Sequence, residues 1–347
     1  MDQLIKDILE MTTCGLAGKP YHKTIDDEQS FYIKVKENGL IGILYESIKD
    51  LQMSEKLSTF LKKDFYAYVA SDMKHQEAIK RLKEMFNQAK IDHIFLKGAT
   101  LKHIYPKPYM RGMGDIDLLI KANDLNRVHH LFHEKEIQLI SKSDMHDLFK
   151  MDGIDIEIHP KLTRASLKEM SSVFENPWDD AVCDENHTYH FSKTYELVYL
   201  LYHLAKHFHT SGIGLRSLLD IGLFIKTYQK EIDQTLLNDL LHASTLYTFY
   251  HKILFLVDAY FKIPDIKDLV ETNMDEKTLL KVTEYIISSG IHGKGQTFNN
   301  FQAQYISHQK KSKSKIGFIL KLIFPSFDVM RGSYQFLNRY PILLPVA

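Results

Sequence analysis

The sequence predicts an α/β fold: a small mixed sheet flanked by N- and C-terminal helical regions. Three observations predict it. Between positions 51 and 90 apolar residues recur mainly at spacings of three and four, with no Pro or Gly, which is the helical period. From Ile91 to His159 short β-rich runs are separated by turns containing Gly, Pro or Asp. From roughly Ala165 the helical period returns.

Residues 1–90 read as an N-terminal helical region. Leu57, Phe60, Leu61, Phe65, Tyr68, Val69 and Met73 make 51–90 a long helix or a helical hairpin. Residues 91–165 read as an α/β module. Its first run, 91–97, is short and apolar and ends at Gly98, after which 99–102 restart a helical pattern. A loop with Pro106 and Pro108 leads to Gly112-Met113-Gly114 and then to the strand 115–120. Residues 123–135 read as a helix. Further short strands are expected at 137–140, 147–151 and 154–159, the last two joined at Asp152-Gly153, a hairpin signal. Residues 166–300 read as a helical domain, clearest at 196–209 and 215–228, with 236–261 and 277–289 following. A basic and apolar tail, 301–347, begins with a polar linker or loop at 302–315.

Composition narrows the function classes. The 347 residues hold 44 Lys+Arg against 44 Asp+Glu, with 44% hydrophobic and 25% charged residues. That is an ordinary globular composition, not a disordered or low-complexity one. Zero net charge argues against long nucleic acid as a partner. Cys14 and Cys183 lie far apart without CxxC spacing, so each is expected to be a free, buried thiol. The first residues are too acidic for a secretory signal, and no apolar run reaches the ~18 residues of a spanning helix. The expectation is a cytoplasmic protein. In the tail, Lys310, Lys311, Lys313, Lys315 and Lys321 sit beside Phe318, Ile319, Leu322, Ile323 and Phe324. Such a segment either covers the main body or makes peripheral contact with an anionic membrane.

The chemistry gathers around Gly114-Asp115-Ile116-Asp117. Alternation on a strand turns Asp115 and Asp117 to one face and Ile116 to the core. Adjacent carboxylates repel, and a divalent cation with a taste for oxygen ligands, Mg²⁺ or Mn²⁺, relieves them. In 154–159 the polar residues Asp155, Glu157 and His159 share a face, so Asp155 or Glu157 can supply a third carboxylate. Lys97-Gly98-Ala99 ends a strand and begins a helix, a place where free amides and a lysine attract phosphate.

Together these residues resemble the nucleotidyltransferase superfamily with the DNA polymerase β-like fold. The chain is more closely similar to the bacterial uncharacterised nucleotidyltransferase family. The shared pattern is Leu96-Lys97-Gly98-Ala99, Tyr105-Pro106 with Arg111, Gly114 to Leu119, Glu157-Ile158-His159, His203 with Lys206-His207, and Leu215-Arg216 with Leu219-Asp220. Looser echoes are Phe324-Pro325-Ser326, Met330-Arg331 and Leu343-Leu344-Pro345. Ala99 stands where the wider superfamily has Ser or a second Gly.

The resemblance implies a metal-dependent enzyme. It would move an NMP group from an NTP to an acceptor hydroxyl and release pyrophosphate. Asp115, Asp117 and Glu157, favoured over Asp155 for its place in the Glu-x-His pattern, would be catalytic and would hold Mg²⁺ or Mn²⁺. Lys97, Gly98, Ala99, Arg111, Lys206, His207 and Arg216 would bind the nucleotide. Arg216 and Asp220, four apart on a helix, can instead pair with each other, and His203 and His207 can instead pack against the α/β module. The acceptor, whether small molecule, peptide or glycan, is not written in the sequence. The other readings are a non-catalytic nucleotide-binding protein, or transfer of phosphate or hexose from a nucleotide donor to a peptide or glycan.

Overall fold

A computed structural model describes residues 1–163, 172–210 and 212–291. The chain begins with α1 (Gln3–Leu16), α2 (Glu28–Glu37) and α3 (Ile41–Ile48). Asp2 caps α1 through the Leu4 amide, and Asp27 caps α2 through the Ser30 amide. α1 crosses α3 at Gly15, where a Cβ would lie 2.2 Å from the Ile43 carbonyl oxygen. Only a glycine permits that approach.

Residues 51–90 resolve into one helix rather than a hairpin: α4 (Glu55–Gln88), capped by Ser54 through the Leu57 amide. At about 1.5 Å per residue, this helix is long enough to serve two cores. Leu57, Leu61 and Phe65 pack into the larger core, formed mainly by helices. Ala78, Leu82 and Phe86 pack into a second core under the sheet.

The sheet has seven strands in the order β3-β4-β5-β2-β1-β7-β6. They are β1 (His93–Leu96), β2 (Asp115–Ile120), β3 (Gln138–Lys142), β4 (Asp147–Met151), β5 (Ile154–His159), β6 (Ala181–Glu185) and β7 (Thr188–Phe191). β2 runs parallel to β5 and antiparallel to β1, so the sheet is mixed as expected. Asp152 and Gly153, with φ of 53° and 83°, make the tight turn between β4 and β5. β6 and β7 extend the sheet where the sequence reading had only helix. Between β1 and β2 lies the short α5 (Gly98–Leu101), and α6 (Leu125–Glu134) follows β2.

Alternation sorts the sheet's two faces. Ile116, Leu118, Ile120, Ile154, Ile156 and Ile158 join Phe86, Val128 and Phe132 in the second core. The opposite face looks toward the larger core, to which Ile94, Leu96 and Leu119 belong. Over it lie α7 (Lys193–Thr210) and α8 (Leu215–Tyr228), then α9 (Gln234–Ala243), α10 (Tyr247–Phe261) and α11 (Glu276–Ser289). The run at 236–261 is two helices because Thr245 adopts φ of 57° and breaks it. Neither thiol is buried as expected: Cys14 is half-buried and Cys183 is exposed on β6. No helix among the described residues is long and apolar enough to cross a membrane. The expected basic tail 301–347, with the expected linker and the question of membrane contact, lies outside the described residues.

Candidate active site

The parallel register of β2 and β5 builds the site. Asp115 lies beside Asp155, Asp117 beside Glu157 and Leu119 beside His159. Registered partners point to the same face, so Asp117, Glu157 and His159 crowd together. Single oxygens of Asp115, Asp117 and Glu157 lie within 4.8 Å of one another. Asp155 is not in this trio; its carboxylate lies 3.1 Å from Lys150 on β4.

β1 brings the cation. Leu96 is registered with Asp117, so the next residue, Lys97, arrives at the end of the same pair. Lys97 takes φ of 49° and ψ of −111°, a costly backbone for a residue with a Cβ. That turn places its Nζ 2.6 Å from Asp117 Oδ1. Gly98 then starts α5, and a Cβ there would lie 2.7 Å from Met113 Sδ and 3.1 Å from Arg111 Nη1. The glycine lets the loop before Asp115 close onto the turn. The amides of Gly98 and Ala99, in the first turn of α5, have no acceptor within the helix.

His159 links the acids. Its Nε2 donates to Asp117 Oδ1 at 2.9 Å and lies 3.2 Å from Glu157 Oε2. His146 Nδ1 lies 3.5 Å from the same Glu157 oxygen.

The electrostatics follow from burial and neighbours. Burial alone would raise the Asp117 carboxyl, but the Lys97 ammonium and the His159 imidazole hold it far below the usual carboxylate range. Burial likewise opposes charge on Lys97 and His159, yet Asp117 holds both above their ordinary values, with a further contribution from Glu157. Asp115 feels the same Lys97 only as a weaker pull. Desolvation, then Asp117 and Glu157, push its carboxyl up to about 6. Two cationic groups therefore do not neutralise the cluster. Three oxygen donors with residual negative charge fit Mg²⁺ or Mn²⁺.

α7 closes the other side. Tyr199, His203 and His207 recur every four residues, and the two imidazoles lie with ring centroids 4.4 Å apart. Burial, then Lys97 and Lys206, push His203 well below its ordinary value; burial, then Lys206 and Lys97, bring His207 down to about 4. Both rings are neutral at pH 7. Burial drives the Tyr199 phenol up to about 12, against the pull of Lys97.

The structure thus brings together Asp115, Asp117, Glu157, Lys97, Gly98 and Ala99, with His207 on the facing helix and Lys206 beside its two imidazoles. It places the two arginines differently from the expectation. Arg111 forks its Nε and Nη2 onto Asp220 at 2.8 and 2.9 Å, both side chains being buried, while its Nη1 lies against the Gly98 turn. Tyr105 donates its hydroxyl to the same carboxylate at 2.7 Å. Arg216 consequently does not pair with Asp220; its Nη1 donates to the Gly112 carbonyl at 2.9 Å. The bidentate fork wins because two parallel charged bonds in a buried place outweigh a helical i,i+4 pair.

Sequence reasoning missed His146 and Tyr199. Tyr199 carries a signal, its spacing of four from His203. His146 carries one only through the β4–β5 register, in which Asp147 opposes Ile158.

A family model described as uncharacterised nucleotidyltransferase matches residues 26–262, well over half of the chain. No curated protein matches. Among solved structures, that of the antibiotic-resistance factor ANT(2'')-Ia is 11% identical and covers 52% of this chain and 98% of its own, with a TM-score of 0.38. At that TM-score the likeness carries no weight for the site.

Proposed function

Since the chain belongs to the uncharacterised nucleotidyltransferase family, we propose that it transfers an NMP group from an NTP to an acceptor hydroxyl, metal-dependently, with pyrophosphate as the other product. One observation supports this above all: three carboxylates converge on one sheet face while Lys97 and the Gly98 turn lie against the central one. Asp115, Asp117 and Glu157 would hold Mg²⁺ or Mn²⁺, which when bound supplies charge neutralisation at the phosphates and acidifies the acceptor hydroxyl.

The chain's own groups do the rest. Lys97 offers a point charge, and the Gly98 and Ala99 amides offer donors, to the phosphates distal to the reacting one. Lys206 adds positive charge from α7, where His203 and His207, being neutral, can accept as well as donate a hydrogen bond from base or acceptor. The acceptor oxygen bonds to the α-phosphorus, the bond to the bridging oxygen breaks, and the hydroxyl proton leaves to the carboxylate cluster. Arg111 and Arg216 position the loop 111–114 rather than touch the nucleotide. The acceptor is a small molecule, a peptide or a glycan, not long nucleic acid.

Asp117→Asn tests the reading. Transfer from α-labelled NTP to any member of a broad acceptor panel should fall at least about a hundredfold, with the circular dichroism spectrum unchanged. Undiminished transfer would refute the assignment.

A further inference from the structure

A second set of metal donors adjoins the carboxylate trio. It is built from the β3–β4 turn and the end of β5. Continuing the antiparallel register of β4 and β5 one residue past Asp147 and Ile158 sets His146 opposite His159. The turn holds His146 in place: its amide donates to Ser143 Oγ at 3.1 Å, and its carbonyl accepts from the Ser143 hydroxyl at 2.8 Å and from the Ser143 amide at 3.1 Å. Ligand atoms of His146, Glu157 and His159 all lie within 4.8 Å of one another.

The distances match an ion's demands. Tetrahedral zinc with bonds of about 2.0–2.1 Å sets its ligand atoms about 3.3–3.4 Å apart. His146 Nδ1 to Glu157 Oε2 is 3.5 Å, and His159 Nε2 to the same oxygen is 3.2 Å. Two of the three edges are thus already formed. The third lies between the two imidazoles, whose centroids are 5.1 Å apart. The ligand atoms on that edge lie within 4.8 Å, so a small turn of a ring closes it, and the His146 side chain, 27% exposed, gives access from solvent.

The chemistry differs from that of the trio. Two imidazoles with one carboxylate suit zinc and its neighbours, whereas Mg²⁺ prefers oxygen alone. We propose that His146, Glu157 and His159 form a zinc-class site that shares Glu157 with the carboxylate trio. Zinc ligation at His159 Nε2 replaces the proton now donated to Asp117 and releases it to solvent. Zinc occupancy draws Glu157 away from the trio and weakens Mg²⁺ or Mn²⁺ there. That competition, unlike the zinc site, rests on the reading given under the proposed function.

The test uses the full chain. Zn²⁺ is titrated against a chromogenic zinc indicator, Co²⁺ is followed by its visible ligand-field absorption, and bound Mn²⁺ is followed by electron paramagnetic resonance. One equivalent of zinc should bind, and Co²⁺ should show a tetrahedral spectrum. His146→Ala should weaken zinc at least about tenfold, the loss that even an outer-shell partner can cause, and leave Mn²⁺ binding unchanged. In the wild type zinc should displace Mn²⁺; in the variant it should need at least that much more zinc. Zinc affinity unchanged in both His146→Ala and His159→Ala would overturn the site. Zinc bound through His146 with no loss of bound Mn²⁺ would overturn the sharing. Zinc binding with no Mn²⁺ binding at all would uphold the site and overturn the carboxylate reading instead.

Discussion

Asp220→Ala isolates what Arg111 does. Asp220 accepts from Arg111 Nε, Arg111 Nη2 and Tyr105 Oη at 2.7–2.9 Å. The side chains of Arg111 and Asp220 are 8% and 10% exposed. Removing the carboxylate leaves a guanidinium with little water and only the more distant Asp115 as counter-charge. It also leaves Arg216, tied to the Gly112 carbonyl, as a second positive charge nearby. Breaking a buried pair by deleting one partner costs about 3–5 kcal/mol. The orphaned Tyr105 hydroxyl adds about 1 kcal/mol or more. Urea unfolding of the full chain, with a slope near 3 kcal/mol/M or above for this size, should show the midpoint falling by about 1–2 M. Pairing the loss with Arg111→Met should recover most of it, because an apolar pair of similar volume does not strand a charge. A cost below about 1 kcal/mol for Asp220→Ala would refute the reasoning, since Arg111 would then have another partner. Arg111 stands four residues before Asp115, so the same variant should lose transfer activity in proportion to the disorder it brings to the loop 111–114.

The remaining expectations concern charge and packing. Asp115, pushed up to about 6, should be protonated in the metal-free protein at pH 5; Mn²⁺ affinity should then fall by up to about tenfold per pH unit below 6 and level off above it, as calorimetry at pH 5, 6 and 7.5 would read. The sign for stability is the reverse: this raised carboxyl stabilises the metal-free fold below its unfolded value of about 4 and loses that contribution as pH rises through 6, so Asp115→Asn should raise the melting temperature at pH 7.5 relative to pH 5. Lys97→Met removes the ammonium from Asp117, so it should raise the KM for NTP yet tighten Mn²⁺ binding in the absence of nucleotide; weaker Mn²⁺ binding would contradict the placement of Lys97. Gly15→Ala, with its Cβ against the Ile43 carbonyl, should cost about 1–3 kcal/mol by forcing α1 and α3 apart, and wild-type stability would mean that the crossing is looser than described.

What could be read from the sequence was what repeats. α4 declares itself by its unbroken period, and β2 and β5 by Ile and Leu on alternate residues that fill the core beneath the sheet. β6 and β7 escaped because β6 is an exposed edge strand whose residues obey no alternation. Long-range pairing escaped for a different reason. Arg111 and Asp220 are 109 residues apart, and a loop arginine in isolation offers phosphate and carboxylate equally. The helical pair of Arg216 with Asp220 was the local solution, and it lost to the stronger bidentate contact from across the fold.

The carboxylate trio shows how local pattern and tertiary register combine. Alternation turns Asp115 and Asp117 to one face, and Asp155, Glu157 and His159 likewise, without saying which acids meet. The register of β2 with β5 sets Glu157 beside Asp117 and Asp155 beside Asp115, and Lys150, opposite Asp155 on β4, takes that acid out of the cluster. Once three acids share a face covered by helices, burial makes their mutual repulsion expensive. The fold answers with Lys97, forced into a strained turn, and with His159, which donates to the most buried acid. Both compensate Asp117, while Asp115 keeps a raised carboxyl. A charge imbalance inside a folded protein lowers its stability, and here it sits on the acid that the proposed reading makes a cation ligand.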